Sequence, residues 1–287
     1  MTGPFDPDRL SLIARGGQAD IYDAGDGKVL RLARRPQDFD RIRYEYEVYA
    51  CLGAAGLPVP RAYELLEVRG APAILMDRVD GGSLMARIRG NPLTARAVAR
   101  ELAQLHLQIL GHEAPSLLTR AKAKSEFCIR GSSRLSEDSK KRLLSLLDEL
   151  PEGTAVCHGD FHPGNVLRQR GKSYIIDWSA ASRGDFHADV AHSFLLMRVV
   201  PKVPGTRAMM HLLQRSIGRA IASTYLSTVG KDRPLDRRRL SKWVLLNAAE
   251  RTYHGLPSEQ DTLGRFIEKG LALLAENPNQ EHLHELI

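Results

Sequence analysis

The sequence has few cysteines, no long apolar run and no block of like charges. Its three cysteines, Cys51, Cys128 and Cys157, lack the even, closely spaced pattern of a disulfide framework, which favours reduced thiols. No apolar run approaches the roughly 20 residues that a membrane-spanning helix needs, and residues 1–9 lack the charged-then-apolar pattern of a signal peptide. These absences predict a cytoplasmic protein with no membrane partner.

The net charge of +7 raises the question of nucleic-acid binding. The basic residues are scattered, and their densest cluster, residues 237–239, lies in a helical pattern without interleaved aromatic residues. We therefore expect no nucleic-acid partner, but a solvated face that attracts small phosphate-bearing molecules. A hydrophobic fraction of 43% and a charged fraction of 26% are ordinary for a globular protein, and 287 residues suffice for two lobes or one large domain.

The densest group of chemically useful side chains follows a short apolar run at residues 154–157. Residues 158–167 read HGDFHPGNVL, and a second apolar run, residues 173–176, leads into Asp177. The side chains of Asp160, Asn165 and Asp177 offer hard oxygen atoms, which Mg²⁺ prefers, with waters and phosphates completing its coordination. A carboxylate that stays off the metal can instead accept a proton from a hydroxyl nucleophile.

A zinc site formed by Cys157, His158 and His162 is the competing interpretation of the same segment. Pro163 and Gly164 prevent this stretch from being a helix that presents two histidines on one face. We therefore favour magnesium over zinc.

The pattern H-x-D-x-x-x-x-N, followed a dozen residues later by two apolar residues and Asp, resembles the catalytic and metal-binding loops of protein-kinase-like phosphotransferases. HGDFHPGNVL with IIDW is most similar to the aminoglycoside phosphotransferase and choline kinase family. The resemblance implies an α+β, bilobal protein-kinase-like fold. Residues 1–79 would form a small nucleotide-binding lobe with a mainly antiparallel sheet and one helix, and residues 80–287 a larger, mostly helical lobe.

The same resemblance implies a reaction and its participants. The γ-phosphoryl group of ATP or GTP would be transferred to a hydroxyl of a small molecule, with Mg²⁺ as cofactor. Asp160 would be the catalytic base, and Asn165 and Asp177 would hold the metal.

A glycine-containing loop interrupts the first strand-like stretch, residues 10–21. Gly16, Gly17 and Gln18 lie between apolar residues, and a turn at residues 25–27 leads into a further strand. Glycines let a backbone approach phosphates closely. The resemblance implies that this loop lies over the nucleotide, although the residues alone also fit a plain hairpin turn.

Arg31 occupies the strand position at which the family usually carries a lysine that grips the nucleotide phosphates. Lys28 lies nearby, but strand alternation places it on the opposite face. The following helix, predicted over residues 38–53, carries Glu45 on its apolar seam, where a carboxylate needs a partner. We expect Arg31 to pair with Glu45 and to contact phosphate.

Two further strands are predicted over residues 62–68 and 73–76, followed by an extended link. The resemblance implies that this link is a kinase hinge, in which the backbone C=O of Asp77 and N–H of Val79 bond an adenine edge. A tight domain linker has the same sequence character.

The remainder of the chain is predicted to be mostly helical. The amphipathic pattern of residues 92–110 predicts one helix, with His106 as a core histidine, and residues 119–141 are predicted to be an irregular insertion. Later helices are predicted over residues 206–226, 236–253 and 258–276. The resemblance implies that Asp189 braces the catalytic loop, and that His158 also has a supporting role.

Two alternatives to a small-molecule kinase stay open at this point, a pseudokinase and a protein kinase. A further alternative concerns only the acceptor, which could be an aminoglycoside. A pseudokinase-like module without turnover is suggested by Arg31, whereas the intact Asp160, Asn165 and Asp177 argue against it. A protein kinase is disfavoured because the H-R-D arginine and an A-P-E sequence are missing. An aminoglycoside acceptor calls for an acidic pocket, but basic residues outnumber acidic ones after Asp177, which favours a neutral or anionic metabolite.

Overall fold

The computed structural model describes residues 5–201, 205–255 and 257–287. The chain divides into two compact units. The first unit comprises residues up to 86 together with residues 164–180, and the second comprises residues 87–163 and 181–287.

The first unit is organised around an antiparallel sheet in which the strands follow the order β1-β2-β3-β5-β4. The strands are β1 (Leu12–Arg15), β2 (Ala19–Gly25), β3 (Lys28–Ala33), β4 (Ala62–Val68) and β5 (Ala71–Asp77). The turn between β2 and β3 has positive φ at three consecutive residues, 77° at Gly25, 48° at Asp26 and 69° at Gly27. Glycine and aspartate tolerate this left-handed conformation, which explains the hairpin at this point.

Helix α1 (Phe39–Ala54) packs against β4 and β5. Ile42, Val48 and Leu52 are fully buried at intervals of six and four residues, which place them on one side of the helix, so they form the stripe that faces the sheet. Glu45 lies on the same buried stripe, as the helical spacing predicted. A smaller hairpin of β7 (Val166–Gln169) and β8 (Lys172–Ile175) joins this unit through the N–H of Ile175, which donates to the carbonyl of Pro58 over 2.8 Å.

The second unit is mostly helical, with one short antiparallel strand pair, β6 (Ala155–Cys157) and β9 (Ser182–Gly184). Helix α2 (Leu84–Gly90) leads into it. The longer helices of this unit, in chain order, are α3 (Ala95–Leu110), α4 (Ala121–Gly131), α5 (Glu137–Asp148), α6 (Phe186–Arg198), α7 (Ala208–Asp232), α8 (Arg237–His254) and α9 (Pro257–Glu276).

Helix α8 is the centre of the second unit. Its consecutive residues Val244, Leu245 and Leu246 are all fully buried, as expected for a helix that is covered on every side. Helices α4, α6 and α9 pack around it, and α7 packs against both α3 and α6. The antiparallel N-terminal sheet with its one helix and the helical C-terminal part confirm the predicted α+β fold class.

The expectation of an irregular insertion over residues 119–141 is wrong, because α4 and the start of α5 lie there. The sequence did carry a helix-start signal, since the Ser136 hydroxyl accepts a hydrogen bond from the Ser139 N–H over 3.1 Å. Two acidic residues follow in the first turn of α5, where they favour a helix N-terminus. The polar composition of the segment concealed this signal.

A search of the described helices found none whose length and hydropathy would allow it to cross a membrane.

Candidate active site

A loop follows β6 directly, and Asp189 fixes the backbone of this loop. The N–H groups of His158 and Gly159 donate to the two oxygens of Asp189 over 2.5 and 2.9 Å. The same carboxylate contacts His106 Nε2 at 2.9 Å, and the other ring nitrogen of His106 lies 2.5 Å from the Tyr225 hydroxyl. Gly159 has a φ of 75°, which a residue with a side chain rarely adopts. Asp189 therefore braces the loop as expected, and His106 is a buried core histidine.

Asp189 keeps its negative charge although it is only 2% exposed. Burial alone would raise its pKa, but His106, His158 and the Gly159 N–H outweigh burial and lower the pKa of Asp189 below its ordinary value. A permanently ionised carboxylate holds the two loop N–H groups at every ordinary pH.

Asp160 follows this anchor directly and lies in the second unit. Its side chain is 38% exposed, and its Oδ2 lies 3.8 Å from His162 Nε2. Its own N–H donates to His158 Nδ1 over 3.2 Å, which gives His158 the supporting role that was expected. Burial raises the pKa of Cys157 well above its ordinary value. Among the residues that the structure describes, no group of three His, Cys, Asp or Glu side chains is placed to hold a metal ion, so the predicted alternative of a zinc site gains no support.

Arg31, on β3, connects two carboxylates within the first unit. Its Nε donates to Glu45 Oε2 over 2.8 Å, and its Nη2 lies 3.5 Å from Asp177 Oδ1. The Glu45 side chain is 0% exposed and the Arg31 side chain 14%. The predicted pair of Arg31 and Glu45 is therefore present. Lys28 lies elsewhere, with its Nζ 4.7 Å from the centre of the Tyr63 ring.

The electrostatics of this pair are set mainly by burial. Burial raises the pKa of Glu45 to about 7, against the opposing effects of Arg31 and of a hydrogen bond from the Trp178 backbone. For Arg31, burial acts to lower the pKa, but Glu45 and Asp177 outweigh it and raise the pKa above its ordinary value. The arginine is permanently charged, whereas Glu45 is close to the point at which it takes up a proton.

Asp177 has an unusual backbone, with a φ of 62° that is rare outside glycine. Its N–H donates to the buried Tyr49 hydroxyl of α1 over 3.0 Å, and the Ser179 hydroxyl donates to its Oδ1, also over 3.0 Å. The Asn165 carbonyl accepts the N–H of Ile176 over 3.0 Å, which brings Asn165 next to the Asp177 backbone.

Asn165 and Asp177 fit a magnesium site by the chemistry of their donor atoms. One offers an amide oxygen and the other a carboxylate whose side chain is 38% exposed. Mg²⁺ at nucleotide sites uses oxygen ligands of these types and completes its coordination with phosphate and water.

A cavity of about 390 Å³ lies within the first unit, a volume typical of small-molecule sites. It brings together four of the residues predicted for nucleotide and metal binding, Arg31, Asp77, Val79 and Asp177. Apolar side chains supply most of the remaining wall, namely Ile13, Ile21, Val29, Met76, Leu167 and Ile176. A charged end beside an apolar wall suits a ligand that has a planar base and phosphates.

Strand β5 ends at Asp77, and residues 78–81 continue along the cavity without regular secondary structure. The Asp77 carboxylate accepts hydrogen bonds from the Tyr63 hydroxyl over 2.7 Å and from the Arg61 N–H over 3.1 Å, which fixes the end of the strand. A side chain at Gly81 would lie 1.6 Å from the carbonyl oxygen of Arg168. Only glycine fits at this point of the link.

Gly16, Gly17 and Gln18 form a closed turn between β1 and β2. The Gly16 N–H donates to the Ala19 carbonyl over 2.9 Å, and the carbonyl of Gly16 accepts from Arg34 Nη1 over 2.8 Å. The cavity wall includes residues on the strands on either side of this turn but none of the three turn residues. The structure therefore does not bring them together with Arg31 and Asp177.

A sequence model of the phosphotransferase enzyme family matches residues 9–210, well over half of the chain. The protein belongs to this family. Its predicted class as a phosphotransferase and its predicted family are thereby confirmed. A comparison with curated proteins found no match.

Solved structures with the same fold include an aminoglycoside-3'-phosphotransferase of type VIII. It is 22% identical, covers 86% of this chain and 95% of its own, and has a TM-score of 0.61. A thermostable mutant of aminoglycoside phosphotransferase APH(4)-Ia, in a ternary complex with ADP and hygromycin B, is 17% identical over 93% of both chains, with a TM-score of 0.62. A choline/ethanolamine kinase family protein from Mesorhizobium loti is 16% identical, covers 96% of this chain and 90% of its own, and has a TM-score of 0.60.

The second unit of this phosphotransferase has a narrow crevice next to the loop that follows β6, with Gly159 and Asp189 among its lining residues. Glu250 is buried there, 3.0 Å from Lys124 Nζ, and accepts a hydrogen bond from the Ser125 hydroxyl over 3.1 Å. His192 also lines the crevice. Burial and Lys124 lower the pKa of His192, whereas the charge of Asp160 acts in the opposite direction.

Three contacts with predicted site residues could not be foreseen from the sequence pattern. Tyr49 is a buried residue of α1, and its hydroxyl accepts the Asp177 N–H. A buried tyrosine needs a partner for its hydroxyl, so the residue type was the available signal. Arg34 and Arg35 contact the carbonyls of Gly16 and Gly17, and only their position after β3 hinted at this role.

Proposed function

We propose that this phosphotransferase moves the γ-phosphoryl group of ATP or GTP to a hydroxyl of a small molecule, with Mg²⁺ as cofactor. The observation that carries the proposal is the contact of Arg31 with both Glu45 and Asp177 at the charged end of an apolar-walled cavity. The complex of an APH(4)-Ia mutant with ADP and hygromycin B lends support by showing this fold with a nucleotide and a small molecule.

The nucleotide is assigned to the cavity of the first unit. Arg31 contacts the phosphates, where its planar guanidinium offers several donors and a charge that pH does not remove. The C=O of Asp77 and the N–H of Val79 bond the base edge, and the turn of residues 16–18 is assigned to the phosphates.

Asn165 and Asp177 hold the metal. Mg²⁺, when bound, neutralises negative charge on the transferring phosphoryl group. Tyr49 holds the backbone N–H of Asp177, and the Ser179 hydroxyl donates to its Oδ1, so backbone and carboxylate are each held by one hydrogen bond at the position proposed for the metal.

Asp160 positions the acceptor hydroxyl and accepts its proton. The hydroxyl oxygen forms a bond to the γ-phosphorus, the bond from that phosphorus to the β,γ-bridging oxygen breaks, and the nucleoside diphosphate leaves. Because Asp189 fixes the backbone of residues 158 and 159, the position of Asp160 depends on a buried charge that does not take part in the transfer.

The acceptor is assigned to the neutral and anionic metabolites that carry a hydroxyl. Next to the catalytic loop, Glu250 is already paired with Lys124, and Arg251 bonds Glu259, so these charges compensate one another. A polycationic aminoglycoside calls for carboxylates that still lack a cation. The aminoglycoside alternative has its support in the hygromycin B complex of the APH(4)-Ia mutant.

A screen for acceptor-dependent ADP or GDP formation tests the proposal. Neutral alcohols, hydroxylated acids and aminoglycosides are offered with MgATP or MgGTP, and Asp160→Asn serves as the inactive control. Loss of a general base lowers the rate by roughly 10²–10⁴-fold, while nucleotide binding is retained. Asp261→Asn, at an exposed position of α9, is the matched control and should keep full activity.

Two outcomes of the screen contradict the proposal. Nucleotide binding without turnover on any acceptor would favour the pseudokinase alternative. Near-normal turnover of Asp160→Asn would remove the assigned base.

A further inference from the structure

The second unit contains a cavity of about 770 Å³ that the proposed reaction does not use. Its walls come from α6, α7, the start of α8 and the C-terminal residues of the chain. The volume lies in the range of small-molecule sites, which is about 300–1,000 Å³.

This cavity is separate from the catalytic loop. Arg198, on its wall, follows the loop anchor Asp189 by nine residues of the same helix. At a rise of 1.5 Å per residue, this places the two Cα atoms about 13 Å apart along α6.

Three cations line the cavity: Arg198, Lys231 and Arg237. None of them has a carboxylate partner among the residues that the structure describes. The carboxylate on the described wall, Glu285, contacts His282 at 2.9 Å. The cavity therefore has a surplus of positive charge.

Arg198 is the most informative of the three, because it is only partly exposed. Burial together with the neighbouring Arg219 and Arg215 lowers the pKa of Arg198. Arg198 is thus half-buried near two other positive charges. A bound anion would reduce the electrostatic repulsion among them.

The floor of the cavity is apolar. Phe194 and Leu240 are buried there, and Leu226 lines the same wall, while the hydroxyls of Ser223 and Ser227 lie at the rim. Cations beside an apolar floor are suited to a ligand that has an anionic head and an apolar body.

We propose that this cavity is a second binding site, for a small amphiphilic anion such as an alkyl phosphate or an alkyl carboxylate. The arginines bond the head group, which for a phosphate can be bidentate. The apolar floor accommodates the body and supplies affinity that a free inorganic anion does not gain.

Isothermal titration calorimetry tests this proposal on the full chain saturated with MgAMP-PNP, so that the nucleotide cavity is occupied. The probes are octyl phosphate, octanoate, inorganic phosphate and 1-octanol. The alkyl phosphate or the alkyl carboxylate should bind to one saturable site, and the tighter of the two identifies the head group. Inorganic phosphate and 1-octanol should each bind at least about tenfold more weakly, because each lacks one half of the interaction.

Variants locate the binding. Arg198→Ala and Arg237→Ala should each weaken the tighter probe by about tenfold or more, and Arg198→Lys should retain most of the affinity. Ser227→Trp should also weaken binding by filling the cavity from an exposed position without changing charge. Arg265→Ala removes an exposed helical arginine that does not line this cavity, and should change nothing.

Three results would overturn the proposal. One is the absence of saturable binding of both amphiphiles. Another is equal affinity for inorganic phosphate, which would indicate a plain basic surface. The third is unchanged binding in Arg237→Ala and Ser227→Trp, which both change exposed positions.

Discussion

Two buried carboxylates, Glu45 in the first unit and Asp189 in the second, have opposite electrostatic properties. Burial raises the pKa of Glu45 to about 7, whereas the pKa of Asp189 lies below its ordinary value. The number of hydrogen-bond donors explains the difference. Glu45 depends chiefly on one guanidinium contact, while Asp189 accepts two backbone N–H groups and contacts an imidazole. A carboxylate with several fixed donors anchors a loop; one with a single cationic partner can respond to a ligand.

The largest loss of stability is expected from substitution of Asp189, because this carboxylate has more hydrogen-bond donors than Glu45. Asp189→Asn removes the charge that two loop N–H groups and His106 share, and should lower the free energy of unfolding by about 3–5 kcal/mol. Denaturant unfolding measures this change, with Asp232→Asn, at an exposed site on α7, as the control. A loss under 1 kcal/mol would show that the loop keeps its geometry without the anchor.

The second prediction concerns pH, because the contributions of the two carboxylates to stability change with pH in opposite directions. The folded-state pKa of Glu45 is raised from 4.5 to about 7. Its contribution to stability is therefore fully present below about pH 4.5 and is lost as pH rises through 7, by at most about 3 kcal/mol. Asp189 has a lowered pKa, so its contribution is lost only in acid, as pH falls below its ordinary pKa.

Unfolding measured between pH 4.5 and 8 checks this sign. In Glu45→Gln the free energy of unfolding should decline less over that range than in the wild type. In Asp189→Asn it should decline as much as in the wild type. An identical pH profile for the wild type and Glu45→Gln would mean that Glu45 stays ionised throughout.

The third prediction concerns Arg31, the cation that contacts Glu45. Arg31→Ala should cost about 1–3 kcal/mol, less than loss of the Asp189 charge, because Glu45 can take up a proton near neutral pH. Nucleotide affinity should fall as well, and Arg31→Lys should restore part of it. A double-mutant cycle with Glu45→Gln, read in both stability and affinity, measures the coupling.

Additive effects in both readouts of that cycle would mean that the two residues act independently. Lys28→Ala is the matched variant on the opposite strand face. A larger loss of nucleotide affinity in Lys28→Ala than in Arg31→Ala would reassign the phosphate contact to Lys28.

The smallest effect is expected from Tyr49→Phe. Removal of one hydroxyl leaves the Asp177 N–H without its partner and should cost about 0.5–1.5 kcal/mol. The affinity for Mg²⁺ in the presence of nucleotide should decrease, because Asp177 loses the contact that holds its left-handed backbone. Tyr46→Phe on the same helix is the control. Equal Mg²⁺ affinity in both variants would assign Tyr49 to packing alone.

The sequence predicted the parts of the site that depend on local periodicity. Alternation along β3 and the helical spacing of α1 placed Arg31 and Glu45 on facing surfaces, and the fold class was implied by the family resemblance of the loop motif. Spacing could not reveal the contact of Tyr49 with Asp177, since those residues are 128 positions apart. Helix α4 and the start of α5 were missed because the segment 119–141 is mostly polar and basic. The roles assigned to individual site residues stay predictions.

Local sequence patterns also could not predict that residues 164–180 belong to the first unit. Nothing in that segment differs in composition from its neighbours. Likewise, the cationic cavity collects Arg198, Lys231 and Arg237 from three helices, and only Arg237 lay in a cluster visible in the sequence.

The interleaving of the two units has a consequence for synthesis on the ribosome. A nascent chain that ends at residue 86 contains Arg31 and Glu45 but lacks the β7–β8 hairpin and Asp177. At roughly 5–20 residues per second, the missing segment follows several seconds later. The cavity of the first unit is therefore completed only after the whole segment 87–163 has emerged, which makes the proposed nucleotide site a late product of translation although its first strands are made early.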